Sequence, residues 1–235
     1  MAPVARELSA DRGVLEPLQT AASVSAQVEE LKKTIESQGD PPVTLVGFSW
    51  GAWLSILFAA NHPKLVKKLI LVGSGPFAEE YAENIVELRL GRLSERDKEE
   101  MALLYSILDN EASEKNDLKR AFKRFGVLFS RADAYDALEE ESEDVFYRAD
   151  IFRNVWPEAA ELRRTDKLLE MAGRVACPVV AIHGNHDPHP AAGVKNPLTA
   201  ALEDFRFFIL HRCGHRPWVE RHAQADFYKV LKEEI

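Results

Sequence analysis

Four short, almost uninterrupted apolar segments constrain the fold more than any other feature of the sequence. A strand whose two faces are both covered reads as a continuous apolar run, as in a parallel sheet with helices on either side. The four segments are residues 43–46, 69–72, 178–182 and 207–210. A fifth segment, residues 14–18, is interrupted by Glu16 and Pro17 and resembles a strand least, because proline cannot donate to a sheet ladder. The pattern predicts a mostly parallel sheet.

Helical periodicity lies between and after these strands, which indicates the α/β class with right-handed crossovers. The apolar residues that share a helix face are Val24, Val28, Leu31 and Ile35, and near the C-terminus Phe227, Val230 and Leu231. The alternation is interrupted once, because residues 77–174 contain amphipathic stretches without a strand pattern. We therefore predict a core made of residues 1–76 and 175–235, and a helical cap inserted as residues 77–174. The acidic run 139–144 is predicted to be a loop in the cap.

Composition excludes several classes of function. A net charge of −8 leaves no basic surface to neutralise phosphates, so nucleic acid is not an expected partner. No apolar run reaches the roughly 18–20 residues that span a bilayer, and the N-terminus has no apolar leader. The two cysteines, Cys177 and Cys213, are predicted to be reduced thiols, and the protein to be cytoplasmic.

The pentapeptide Gly47-Phe48-Ser49-Trp50-Gly51 lies where the strand over residues 43–46 meets a predicted helix over residues 52–60. In such a strand–turn–helix the serine adopts a strained backbone and projects its hydroxyl above the sheet as a nucleophile. The alternative is an ordinary turn with a glycine pair and a hydrogen-bonded serine.

A serine hydroxyl needs a base, and the base needs a partner that fixes its tautomer. Asp187 follows the apolar segment over residues 178–182, and His215 follows the segment over residues 207–210. Both lie just beyond the carboxyl end of a strand, where open α/β sheets place their sites. The order serine, acid, histidine predicts that Asp187 orients His215 and that His215 deprotonates Ser49.

The histidines near Asp187 allow other interpretations. His183, His186, Asp187 and His189 form a dense group, but their spacing matches no zinc pattern, so no metal is predicted. His183 is interpreted as a structural turn residue, and His186 and His189 as residues of a loop or pocket rim.

With these three motifs in order, the chain resembles the α/β-hydrolase superfamily over nearly its whole length. It is most similar to single-domain, cap-bearing members such as the proline iminopeptidases and cofactor-free haloperoxidases. The resemblance implies that Ser49 is the nucleophile, Asp187 the acid and His215 the base, with the backbone N–H of Trp50 as one oxyanion donor and no cofactor. The residues expected to contact substrate are Phe48, Trp50 and Trp156, together with Phe146, Tyr147 and Phe152, although packing between cap helices explains the cap aromatics equally well.

The chain departs from the superfamily at its beginning. Members usually start with further strands, the third of which precedes a His-Gly-rich loop that supplies the second oxyanion donor. This chain has no histidine before His62 and no glycine before Gly13. Three explanations remain open: an N-terminally shortened chain, a gap closed by pairing residues 14–18 with the nucleophile strand, or a strand supplied by a partner chain or a second copy.

The sequence therefore predicts a serine hydrolase that cleaves a small ester, amide or related acyl compound through an acyl-enzyme. Loss of one oxyanion donor typically lowers the rate about 10²- to 10³-fold, so weakened activity is expected. One alternative is a catalytically impaired binding protein or a truncated fragment. Another retains the three residues for different chemistry, such as perhydrolysis or a lyase reaction.

Overall fold

A four-stranded parallel sheet forms the centre of the computed structural model, which describes residues 1–110, 113–138 and 149–235. The strands lie in the order in which they occur in the chain: β1 (Val43–Phe48), β2 (Val66–Val72), β3 (Val179–Gly184) and β4 (Phe205–Leu210). The parallel α/β sheet and its four strands are thus confirmed. Every residue of β3 is buried, whereas β1 and β4 are only half-buried because each has a strand neighbour on one side.

The predicted strand over residues 14–18 is wrong, because this segment has no regular structure. Pro17 has no N–H for a ladder, and the Glu16 carboxylate lies 3.0 Å from the N-terminal ammonium of Met1. Within the described ranges β1 therefore pairs with β2 and with no other strand. Closure of the gap beside β1 by residues 14–18 is excluded.

Helices cover both faces of the sheet. They are α1 (Ala2–Leu8), α2 (Val24–Gln38), α3 (Trp50–Asn61), α4 (Ile85–Gly91), α5 (Glu95–Asp109), α6 (Lys115–Asp133), α7 (Ala149–Arg164), α8 (Lys167–Ala172), α9 (Ala192–Ala201) and α10 (Gln224–Glu234). Along β2, Leu69 and Leu71 face the cluster formed with α2, α3 and α9, while Ile70 and Val72 face the cluster formed with α1 and α10. This alternation explains why β2 is apolar at consecutive positions.

The described part of the segment between β2 and β3 consists of helices and connecting loops and contains no strand, apart from one isolated bridge between Ala137 and Glu220. Helices α5 and α6 pack against each other around their own apolar cluster, which includes Met101 and Leu128. Residues of α7 and α8 instead join the cluster against the sheet. The predicted acidic loop over residues 139–144 lies outside the described residues. None of the described helices is both long and apolar enough to cross a bilayer.

Candidate active site

Ser49 occupies a sharp turn between β1 and α3, with a backbone φ of 53° that side-chain-bearing residues rarely adopt. Its N–H donates to the carbonyl of Val72 on the neighbouring strand, at 3.0 Å. A Cβ atom on Gly47 would lie 2.2 Å from the carbonyl oxygen of Gly51, so only glycine fits at position 47. A Cβ atom on Gly51 would meet nothing within 4 Å. The strand–turn–helix prediction is confirmed, but only the first glycine is sterically required.

Asp187 and His215 meet in the loops that follow β3 and β4. The Nδ1 atom of His215 lies 2.7 Å from Oδ2 of Asp187, and both residues are buried. Burial alone would raise the pKa of the carboxyl, but the charge of His215 and hydrogen bonds from His189 and His215 hold the pKa of Asp187 well below its usual range. Because an ionised carboxylate only accepts hydrogen bonds, Nδ1 of His215 carries the hydrogen. In the neutral imidazole, Nε2 is then free to accept a proton.

His215 lies beside the turn that carries Ser49. A Cβ atom on Gly73 would be 2.6 Å from the carbonyl oxygen of His215 and 3.2 Å from its Nδ1 atom, and Gly73 directly follows Val72, which bonds to Ser49. The Phe48 ring also packs on the His215 ring, with centroids 4.8 Å apart. The two loops and the turn therefore converge at one end of the sheet.

The loop that carries His215 is attached to the helical segment between β2 and β3. The N–H of His215 donates to the carbonyl of Asp133, the last residue of α6, at 2.9 Å. The fully buried carboxylate of Glu220 accepts from the N–H of Gly214 and Tyr135, each at 2.9 Å, and from that of Asp136 at 2.8 Å. We call these three bonds the Glu220 clamp. Sequence reasoning did not identify Glu220 or Asp133.

A second imidazole shares the Asp187 carboxylate. The Nδ1 atom of His189 lies 2.7 Å from Oδ1 of Asp187, which also accepts from the backbone N–H of His189 at 2.9 Å. The His189 and His215 rings are 4.6 Å apart. Burial lowers the pKa of His189 and outweighs the opposite effect of Asp187. The Nε2 atom of His189 lies 3.5 Å from Nη2 of Arg89 on α4.

The other two histidines of the predicted group have separate surroundings. His183 is not a turn residue, since it lies buried within β3 and donates from Nε2 to the carbonyl of His189 at 2.8 Å. His186 meets the Tyr135 ring edge-on. Potential metal-ligand atoms of Asp187, His189 and His215 lie within 4.8 Å of one another. Two N–H···O bonds to one carboxylate account for that proximity.

A cavity of about 200 Å³ opens beside Ser49. Its walls include Trp50, Trp53 and Trp156, whose rings contact one another at centroid distances of 6.3–6.4 Å. The Trp50 indole is held by a 2.8 Å hydrogen bond from Nε1 to Gln27. His189 and two arginines, Arg89 and Arg163, also line the cavity.

Of the aromatic residues expected to contact substrate, Trp50 and Trp156 line this cavity. Phe48 does not, because its ring packs between His215 and Trp218. Phe146 and Tyr147 lie outside the described residues, as does the side chain of Phe152. The backbone N–H of Trp50 belongs to the first turn of α3, where no carbonyl of the helix can accept it and where the helix dipole favours negative charge.

Comparisons with known proteins agree with this architecture. A sequence model of the alpha/beta hydrolase fold matches residues 16–220. The chain is 26% identical over 200 residues to the pimeloyl-[acyl-carrier protein] methyl ester esterase of Chromobacterium violaceum, covering 83% of this chain and 70% of that protein. It is 25% identical over 207 residues to the 2-hydroxy-6-oxononadienedioate/2-hydroxy-6-oxononatrienedioate hydrolase of Paraburkholderia xenovorans, covering 86% of this chain and 64% of that protein.

Among solved structures, a serine hydrolase involved in carbazole degradation, the CarC enzyme, superimposes with a TM-score of 0.55 at 19% identity. The superposition covers 94% of this chain and 74% of that one. The sheet, the turn that carries the serine and the match over most of the sequence agree with one another. The chain therefore belongs to the α/β-hydrolase fold family.

Proposed function

We propose that this enzyme is a serine hydrolase that cleaves small ester, amide or related acyl compounds, with Ser49 as nucleophile, His215 as base and Asp187 as the acid that orients it. The observation that carries the proposal is the buried 2.7 Å hydrogen bond between His215 and Asp187, next to the strained turn at Ser49. The two relatives described above are named as an esterase and a hydrolase, which supports ester hydrolysis as the first reaction to test.

The reaction follows from the protonation states. As Oγ of Ser49 attacks the carbonyl carbon, Nε2 of His215 takes its proton, and the ionised Asp187 stabilises the imidazolium that forms. The carbonyl oxygen gains negative charge in the tetrahedral intermediate, and the N–H of Trp50 is the donor available from the start of α3. His215 then protonates the leaving group, and water releases the acyl group by the same steps.

His189 is the competing candidate for the base, since it also bonds to Asp187 and lines the cavity with Ser49. Two observations favour His215. The lone pair on Nε2 of His189 faces the Arg89 guanidinium, and burial together with nearby cationic charge lowers the pKa of His189. His215 is also joined to the Ser49 turn through contacts with Gly73 and Phe48.

A hydrolase-fold binding protein with weak catalysis is the second candidate. It is favoured by the position of β1, the strand that leads into Ser49, at the edge of the described sheet. In the superfamily a further strand precedes the loop that supplies the second oxyanion donor. The described sheet has no such strand beside β1. On this alternative the hydroxyl of Ser49 would not be activated.

Labelling with a fluorophosphonate probe, followed by mass spectrometry of the modified peptide, tests the proposal. We expect the wild type to be labelled at Ser49, Ser49→Ala to be unlabelled, and His215→Ala to be labelled at least 10³-fold more slowly. His189→Ala should retain most of the labelling rate. Loss of labelling in His189→Ala but not in His215→Ala would reverse the assignment of the base. A folded wild type that is never labelled would favour the binding protein.

A further inference from the structure

The cavity beside Ser49 has a cationic wall. Arg89 and Arg163 both line it, and among the described residues no acidic side chain does. Each arginine has a carboxylate partner, Asp133 and Glu79 respectively, but neither partner is among the lining residues. The third titratable group on the wall, His189, has a lowered pKa because it is buried, so it is mainly neutral at neutral pH. Two guanidinium groups therefore line the cavity, although the whole chain carries a net charge of −8.

Arg163, on α7, retains most of its hydrogen-bonding capacity. Its Nε atom donates to Oε2 of Glu79 at 2.8 Å, but within the described parts of the chain neither Nη1 nor Nη2 has an acceptor. Only 17% of this side chain is exposed, compared with 45% for Glu79. The guanidinium also lies over the Trp53 ring, 5.7 Å from its centroid. A mostly buried guanidinium with two unused amino groups is suited to an anion that binds both.

Arg89, on α4, is held more rigidly. Its Nε and Nη2 atoms donate to the two carboxylate oxygens of Asp133 at 2.6 and 2.8 Å, and 9% of the Asp133 side chain is exposed. The guanidinium also lies over the Phe129 ring at 4.6 Å. Such contacts fix the charge in position before a ligand arrives, which lowers the cost of ordering on binding.

We propose that the substrate is a small acyl compound that also carries a carboxylate, which the free amino groups of Arg163 bind bidentately while Arg89 adds a fixed positive charge. The apolar part of such a compound would lie against Trp50, Trp53 and Trp156, and its ester or amide carbonyl would face Ser49. This inference rests on the proposed function for the identity of the reacting group, but not for the binding of the carboxylate.

Matched esters test the inference. The probes are the monomethyl esters of the straight-chain dicarboxylic acids from succinate to adipate, each compared with the same ester whose carboxylate is replaced by a carboxamide. We expect kcat/KM to be at least 10-fold higher for the best carboxylate ester than for its amide counterpart. Arg163→Gln should lower kcat/KM for that carboxylate ester about 10- to 100-fold more than it lowers kcat/KM for the carboxamide ester. Arg163→Lys should retain part of the preference.

Arg164 provides the matched control, because it is the next residue of α7, is 62% exposed and pairs with Glu161 away from the cavity. Arg164→Gln should hydrolyse both esters as the wild type does. Equal kcat/KM for carboxylate and amide esters, unchanged in Arg163→Gln, would overturn the inference. So would an equal loss on both esters in a folded Arg163→Gln variant.

A binding measurement separates this inference from the proposed function. Calorimetric titration of Ser49→Ala with the carboxylate esters should give binding that Arg163→Gln, added to Ser49→Ala, weakens about 10- to 100-fold. If the wild type binds these esters through Arg163 without hydrolysing any, the carboxylate site stands and the serine hydrolase does not. If the enzyme hydrolyses the carboxamide esters but shows no Arg163-dependent binding of the carboxylate esters, the serine hydrolase stands and the carboxylate site does not.

Discussion

Replacement of Glu220 by glutamine probes how the loop that carries His215 is held. The carboxylate is fully buried and accepts three backbone N–H groups, with Gly214 and Tyr135 on Oε1 and Asp136 on Oε2. Glutamine has almost the same shape, but one of its terminal atoms is an NH₂ group that cannot accept a hydrogen bond. If the amide oxygen takes the Oε1 position, the NH₂ group faces the N–H of Asp136, and the two remaining bonds lose their charge.

The magnitude follows from these three bonds. A hydrogen bond to a charged group contributes about 1.5–3 kcal/mol, and leaving a buried donor unpaired costs about 1–3 kcal/mol. We expect Glu220→Gln to lower the free energy of unfolding by about 2–4 kcal/mol. Glu220→Ala, which leaves all three donors unpaired, should lower it by about 3–6 kcal/mol. With a urea slope of about 3 kcal/mol per molar, the glutamine variant should unfold at a urea concentration about 1 M lower.

Two assays are needed, urea unfolding followed by circular dichroism and the rate of fluorophosphonate labelling at Ser49 in native buffer. A displacement of His215 by about 1 Å is enough to lower the rate roughly 100-fold, so labelling should slow even where the variant is fully folded. Glu233→Gln, which changes an exposed glutamate on α10, is the control and should match the wild type in both assays. A Glu220→Gln protein with wild-type stability and labelling would refute the role of the clamp.

Two further substitutions test other contacts of the site. Gly73→Ala places a Cβ atom 2.6 Å from the carbonyl oxygen of His215, at a backbone φ of 51°. Labelling of Ser49 should therefore slow at least 10-fold, and the free energy of unfolding should fall by about 1–3 kcal/mol. Unchanged labelling would contradict the close approach of Gly73 to His215. For His189, the pKa is lowered by burial, so below about pH 6.5 the unfolded chain binds a proton there that the folded chain does not. The free energy of unfolding should therefore decrease as the pH is lowered below about 6.5, by up to about 1.4 kcal/mol per pH unit for this group, until the folded His189 is protonated. Urea melts between pH 5 and 7.5 should show that His189→Asn loses this dependence while the exposed-site variant His211→Asn keeps it, and parallel curves for wild type and His189→Asn would contradict the burial argument.

The predictable part of the fold lies in segments whose patterns are local. The apolar runs of β1 to β4 are long enough to specify strands, and the turn at Ser49 is recognisable because Gly47 admits no side chain. The strand prediction for residues 14–18 was wrong because apolar content alone does not specify a strand. Pro17 removes a ladder donor, and no described strand pairs with this segment. Strand formation there depends on a partner that the segment itself does not encode.

Only those residues of the site that follow a strand in the expected chain order could be predicted from the sequence. Asp187 and His215 follow neighbouring strands, so their meeting was expected. The bond between His189 and the same carboxylate depends on side-chain rotamers, although the two-residue spacing and the turn after β3 offered a signal. Glu220 resembles any other loop glutamate in the sequence, because the backbone groups it accepts from include Tyr135 and Asp136, about 85 residues away in the chain.

The distribution of tryptophan gives the molecule an intrinsic optical reporter. The chain has four tryptophans. Trp50, Trp53 and Trp156 line the cavity, and Trp218 packs edge-on against Phe48, the residue before Ser49. The indole emission of the protein therefore originates entirely at this end of the sheet. Its wavelength and quenching report on the cavity and its loops, so ligand entry can be followed without a label.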